Sequence, residues 1–264
     1  GISSNVEAFL VDPKLDSYID DLVDFSPDIV FICVPTPMKD CGNQDLFILD
    51  SVIEKIVELK IECTIVLKST VLPDVISNIQ VSIPNIAYNP EFLREKHAKE
   101  DFIKSKLIVF GGSHDSCKYL GDIYKNYTKC LSNDYIFTDP TCASLIKYTI
   151  NSFLATKVTF FNELNQLFQV SGTNESWKDF INAISRDERI GRSHMQVPGH
   201  DGRLGFGGAC LPKDSNAFFN YADKMDIPLA VLKTAINTNN NIRATYNKQT
   251  EREIDQNIEF KGDN

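Results

Sequence analysis

Up to about residue 139 the chain alternates short β-branched runs with amphipathic stretches, and no other feature restricts its fold as much. The runs are VEAFLVD (6–12), DIVFICV (28–34), CTIVLKST (63–70), NIAYNP (85–90), KLIVFGG (106–112) and DYIFTD (134–139). Between them, LDSVIEKIVEL (49–59) carries apolar residues at helical spacing, and CKYLGDIYKNYT (117–128) does so less cleanly. Strands that are apolar nearly throughout, separated by helices, predict an α/β fold with a parallel sheet covered on both faces. Such a sheet takes ligands at the carboxyl ends of its strands.

The pattern changes at Pro140. One helical stretch, PTCASLIKYTINSFLATKVTFFNELNQLFQV, is predicted over 140–170, with apolar positions that include Leu145, Tyr148, Phe153, Leu154, Phe161, Leu164 and Phe168. Ser171-Gly172-Thr173-Asn174 ends it, and ESWKDFINAI starts another helix with Thr173 or Asn174 as its N-cap. The long helix is apolar on more than one face, which predicts burial against a partner subunit. The polar tail after Asn237 is expected to fray or to form an exposed helix.

Composition narrows the partners. Among 264 residues, 42% hydrophobic, the formal charge is 27 − 36 = −9, which argues against a nucleic-acid or anionic-membrane surface. No apolar run approaches the roughly 20 residues of a membrane span, and the start does not resemble a leader, so a cytoplasmic location is expected. The seven cysteines form no CxxC pair and there are four histidines. Neither a disulfide framework nor a metal site is therefore expected.

Several residues could do chemistry. Thr36, Ser69, Thr70 and Glu91 all follow predicted strands and would line the ligand edge of the sheet. Lys147 and Asn151 stand i, i+4 on the long helix and so share a face. Arg189 in DERIG is either a surface charge or a group reaching an anionic ligand. Asp12 closes the first run as an acid would that binds a ribose hydroxyl, although no GxGxxG turn occurs in the 264 residues. The most unusual stretch is GFGGACLPKD (205–214). Its glycines let backbone approach a ligand closely, and Lys213 and Asp214 bring charge near Cys210, which is either a buried thiol or a nucleophile.

Taken together, NPEFLRE (89–95), SLIKYTINSFLATKVTFFNE (144–163), DERIG (187–191) and GFGGACLPKD occur in the order seen in the UDP-glucose/GDP-mannose dehydrogenases. VPTP (34–37), the Gly42/Asp45 pair and KSTVLP (68–73) also fit, so that the likeness runs from about Val6 to Asn237. The resemblance implies a Rossmann-like NAD-binding domain over 1–139, without its first strand and GxGxxG turn, and an all-helical dimerisation domain over 140–264 that carries the catalytic cysteine. It implies oxidation of a nucleotide sugar's C6 alcohol to a carboxylate with two NAD+, in a homodimer joined through the long helix.

The resemblance also distributes roles. Cys210 would form a thiohemiacetal and then a thioester, Lys147 and Asn151 would stabilise the oxyanion, Glu91 would assist hydrolysis, and Asp214 with Thr70 would order water and thiol. Asp12, Pro35, Thr36, Ser69 and Glu95 would contact NAD. Phe92, Leu93, Phe206, Gly207 and Arg189 would contact the substrate, with Arg189 reaching in from the neighbouring subunit. UDP-glucose is the favoured substrate, with GDP-mannose or a UDP-N-acetylhexosamine as alternatives. The family pattern continues NPEFLxEG, whereas Glu95 is followed here by Lys96, and a short form without the C-terminal UDP-binding domain is expected. A non-catalytic assembly homologue and a two-electron hydroxy-acid dehydrogenase are the competing readings.

Overall fold

A computed structural model describes residues 2, 3 and 5–262, apart from the side chain of Glu95. Its contacts group into two units, one of Gly1–Thr36 with Asp45–Lys147, the other of Pro37–Gln44 with Tyr148–Asn264. The division falls inside the long helix, between Lys147 and Tyr148, rather than at its start.

The first unit holds a five-stranded sheet of β1 (Ile29–Ile32), β2 (Thr64–Leu67), β3 (Ala87–Tyr88), β4 (Val109–Gly111) and β5 (Ile136–Thr138), in that spatial order. The helices α1 (Asp21–Phe25), α2 (Phe47–Glu58), α3 (Pro73–Ser82), α4 (Ala98–Ile103) and α5 (His114–Tyr127) surround it in sequence. Both faces are covered. Ile32, Leu67 and Tyr88 pack with Leu49, Ile53 and Ile56 of α2 and Ile76 of α3 in one cluster, while Val66, Ala87 and Phe110 pack with Leu120 and Tyr124 of α5 in another. Each such aliphatic side chain taken from water contributes about 1.5–3 kcal/mol. Ser113 starts α5 by accepting the Ser116 amide on its hydroxyl.

Two expectations about the strands need correction. The sheet is parallel at β1/β2, β2/β3 and β4/β5, but β3 and β4 run antiparallel through Tyr88 and Gly111. Continuous apolar character reports burial on both faces, which favours a parallel sheet overall but does not fix the direction of each strand. The run 6–12 is also not a strand: it pairs with no described strand, and Phe9, Leu10 and Val11 are exposed. Extended backbone becomes a strand only where a neighbour takes its N–H and C=O groups.

The second unit is helical. It contains the greater part of α6 (Pro140–Val170), then α7 (Trp177–Ile184), α8 (Leu211–Asp223), α9 (Ala230–Arg243) and α10 (Glu251–Asp255). Tyr148 stacks on Phe218 of α8, and Phe168 meets Trp177 and Phe180 of α7. The N-cap of α7 is Ser176, whose hydroxyl accepts the Asp179 amide, and not Thr173 or Asn174. The loop Pro37–Gln44 is tied in by Asn220, which donates to Cys41 O and Asn43 Oδ1 at 3.0 and 3.1 Å. The tail does not fray: Asn239, Arg243, Glu253 and Ile258 are all buried.

Candidate active site

Because β1, β2 and β3 are adjacent and parallel, their carboxyl ends share one edge of the sheet. Thr36, Ser69, Thr70 and Glu91 lie there, as the sequence predicts. Thr36 and Ser69 are buried, and each hydroxyl donates across that edge, Thr36 to Thr70 O at 3.0 Å and Ser69 to Val34 O at 2.7 Å. They lock the ends of β1 and β2 together. Pro35 beside them is exposed.

Glu91 is the focus of this edge. Lys147, buried near the start of α6, donates from Nζ to Glu91 O at 2.7 Å and lies 5.5 Å from the Phe92 ring centroid. Lys68, absent from the sequence-based candidates, also reaches this residue, with Nζ 3.8 Å from Glu91 Oε2. It also donates to Asn89 Oδ1 at 3.0 Å, and Asn89 in turn accepts from Tyr124 Oη at 2.5 Å. Burial pushes the Lys68 ammonium below its ordinary pKa, against the opposing pull of Glu91, and pushes the Tyr124 phenol above its own. Lys68, Asn89, Glu91, Phe92, Leu93 and Tyr124 are among the residues lining a cavity of about 20 Å³, room for roughly one water.

In the helical unit, Cys210 is exposed and occupies the N-cap of α8. Negative charge on its sulfur would face the positive end of a 13-residue helix. One turn further in, Asp214 is 1% exposed, and its two oxygens are both taken: Oδ2 accepts from Asn151 Nδ2 at 2.6 Å and Oδ1 from Lys213 Nζ at 2.5 Å. The shared face predicted for Lys147 and Asn151 thus resolves into two tasks, with Lys147 engaging the Glu91 backbone and Asn151 the Asp214 carboxylate.

The glycine turn before Cys210 is held by side chains from three helices. Asn162 accepts the Gly205 amide at 2.9 Å, Asn239 clasps Phe206 through both N–H and C=O, and Glu253 accepts the Gly208 amide at 3.4 Å. Arg243 lies beneath, paired with Glu253 at 2.6 Å and Asp201 at 2.8 Å. A Cβ on Gly207 would sit 1.5 Å from Arg243 Nη2 and 2.5 Å from Glu253 Oε1. Its glycine thus admits the chain's own ion pair, a reason for the residue that the motif did not reveal. Phe206 is 4% exposed.

The remaining candidates are more peripheral. Arg189 is exposed and paired with Asp187 at 2.9 and 2.6 Å. Lys157 of α6 fixes that loop by donating to Ile190 O and Gly191 O. Asp12 caps the 3-10 turn Pro13–Leu15 through the Lys14 amide. The Glu95 side chain lies outside the described residues; Lys96, in the family's glycine position, sits in the 3-10 turn Glu95–His97, a right-handed conformation open to any residue.

Residues 16–128 match the NAD binding domain of the UDP-glucose/GDP-mannose dehydrogenase family, and residues 141–241 match its central domain. The chain belongs to this family. Among its relatives, UDP-glucose 6-dehydrogenase of Rickettsia conorii is 37% identical over 80% of this chain and 49% of its own length. GDP-mannose 6-dehydrogenase of Pseudomonas savastanoi pv. phaseolicola is 31% identical over 80% of this chain and 50% of its own. A UDP-glucose dehydrogenase structure from Pyrobaculum islandicum superposes with a TM-score of 0.72 at 30% identity, covering 84% of this chain and 53% of the other. The chain therefore spans about half the length of the curated relatives it matches. The two most unusual motifs fall inside the matched spans: NPEFL follows β3 at the sheet edge, and GFGGACLPKD forms the turn into α8. Among the described residues no helix is long and apolar enough to cross a membrane.

Proposed function

We propose that this chain serves in the NAD-dependent oxidation of a nucleotide sugar's C6 alcohol to the carboxylate, with UDP-glucose as the preferred substrate. The observation that carries the reading is Cys210 at the exposed N-cap of α8, with the Asp214, Lys213 and Asn151 cluster one turn inside. A two-electron alcohol oxidation needs no thiol. The higher identity to a UDP-glucose than to a GDP-mannose 6-dehydrogenase supports the substrate choice.

The residues at the strand ends fit a dinucleotide, with Pro35, Thr36 and Ser69 grouped there, and Asp12 and Glu95 are proposed as further contacts from outside the sheet. When bound, NAD+ supplies the hydride acceptor for each of the two oxidations. Cys210 Sγ adds to the C6 aldehyde formed by the first oxidation, giving up its proton as the C–S bond forms. The thiohemiacetal loses a hydride and its hydroxyl proton to become a thioester. Water then cleaves the C–S bond, releasing carboxylate and restoring the thiol. Lys147 and Asn151 stabilise the oxyanions of these steps, Glu91 accepts a proton from the attacking water, and Asp214 and Thr70 order the groups around it. Phe92, Leu93, Phe206, Gly207 and a second subunit's Arg189 contact the sugar nucleotide.

The test is stoichiometry in the full-length gene product. Two NADH should form per UDP-glucose, and Cys210→Ser should abolish the second oxidation and the uronate product. A Cys210→Ser enzyme that kept both rate and stoichiometry would exclude the thioester route.

A further inference from the structure

We propose that Lys68 is a positioning residue for Glu91, holding its carboxylate in a single orientation. The proposal rests on the reading of Glu91 as the residue that assists thioester hydrolysis. Lys68 follows β2, and its side chain is only 16% exposed, whereas that of Glu91 is 52% exposed. A glutamate so open to solvent keeps most of its rotamer freedom unless something tethers it. The tether here is an ammonium that is itself fixed: Lys68 Nζ donates to Asn89 Oδ1 at 3.0 Å and Asn89 O at 3.3 Å, and lies 3.5 Å from Tyr124 Oη.

Asn89 supplies the rigidity. It is 2% exposed, donates to Val109 O of β4 at 2.9 Å, and accepts from Tyr124 of α5. The ammonium is therefore referenced to three elements of the sheet unit, and Glu91 Oε2 is 3.8 Å from it. The other end of the same residue is also held, since Glu91 O accepts from Lys147 Nζ. Backbone and carboxylate are thus met by different lysines, the one by a hydrogen bond and the other by an ion pair. A buried ammonium is costly without an anion, and Glu91 is the carboxylate that meets this one. The arrangement explains a lysine at this depth and gives Glu91 a defined direction, the condition for accepting a proton efficiently.

The experiment is a double-mutant cycle in the full-length enzyme with UDP-glucose and NAD+, comparing wild type, Lys68→Met, Glu91→Gln and the double variant, each checked for folding by thermal melting. Lys68→Met should lower kcat about ten- to a hundredfold with KM changed less than about threefold, and should add less than about twofold in the Glu91→Gln background. Lys68→Arg, which keeps the charge, should recover part of the loss. If Lys68→Met does not fold, Lys68→Gln takes its place in the cycle. Multiplicative losses in the double variant, or a raised KM at unchanged kcat, would overturn the proposal by showing that Lys68 acts independently of Glu91. A Glu91→Gln enzyme with normal kcat would instead remove the hydrolysis role of Glu91, and this proposal with it.

Discussion

Asn151 donates to one oxygen of Asp214 at 2.6 Å while the neighbouring Lys213 occupies the other at 2.5 Å. The carboxylate is almost wholly buried, so beneath Cys210 a charged hydrogen-bond cluster joins α6 and α8, in addition to the stacking of Tyr148 on Phe218. Removing one member leaves the others desolvated. Asp214→Ala should cost about 3–5 kcal/mol of unfolding free energy, because Lys213 would remain as a buried unpaired charge. Asn151→Ala should cost less, about 1–3 kcal/mol. Urea denaturation of the two variants checks the order, and equal losses would count against this account.

The pair Arg243 and Glu253 gives a pH dependence with a definite sign. Burial by itself would raise the Glu253 carboxyl, but the Thr250 amide and Arg243 outweigh it and hold the group below its ordinary value; Asp201 is lowered in the same way by Arg243 and the Arg203 amide. A carboxyl depressed in the folded state stabilises fully above its unfolded pKa, about 4, and loses that contribution as pH falls through the folded value. Melting temperature should therefore be flat near neutrality with respect to these groups and drop below about pH 4. In Arg243→Met the acid drop should be shallower; melts that fall in parallel for both proteins would assign the transition to other carboxyls.

Two adjacent glycines should respond differently to alanine. Gly208 has φ +77° with nothing within 4 Å of a Cβ, so Gly208→Ala should cost only the left-handed strain, about 1–2 kcal/mol. Gly207→Ala would drive a methyl into Arg243 and should be the more damaging, through displacement of a buried ion pair. Guanidinium unfolding of the two single variants measures the difference, and a Gly207→Ala protein as stable as Gly208→Ala would refute it.

The proposed homodimer has a stripe to use. Phe153, Phe160 and Leu167 recur every seven residues along α6 and are 64%, 58% and 62% exposed. Three large apolar groups in line are a patch that a second chain would cover. Phe160→Asp should shift the mass measured by light scattering from dimer to monomer at micromolar concentration while the far-ultraviolet circular dichroism is retained. An unchanged mass would place the contact elsewhere.

The regular parts of the fold were legible because their signals are local. Five of six apolar runs became strands, the helix over 140–170 begins and ends where Pro140 and Ser171-Gly172 punctuate it, and Cys210 stood out through its glycine-rich setting. Local signals failed where pairing partners decide. The run 6–12 has strand composition but no ladder neighbour, and the N-cap of α7 went to Ser176, which alone has its hydroxyl at the right place in the turn.

The sequence by itself determined the alternation of elements, the family and the inventory of reactive groups, since periodicity, capping and motif spacing are written in neighbouring residues. Tertiary structure decided which of those groups meet. It reversed β4 against β3, since strand direction depends on the route of the connection. It drew a tail that reads as solvated into the interior, because Arg243 and Glu253 satisfy each other's charge once the chain brings them within 2.6 Å. It also set Lys68 against Glu91, two residues in separate motifs whose pairing exists only when β2 and β3 lie side by side.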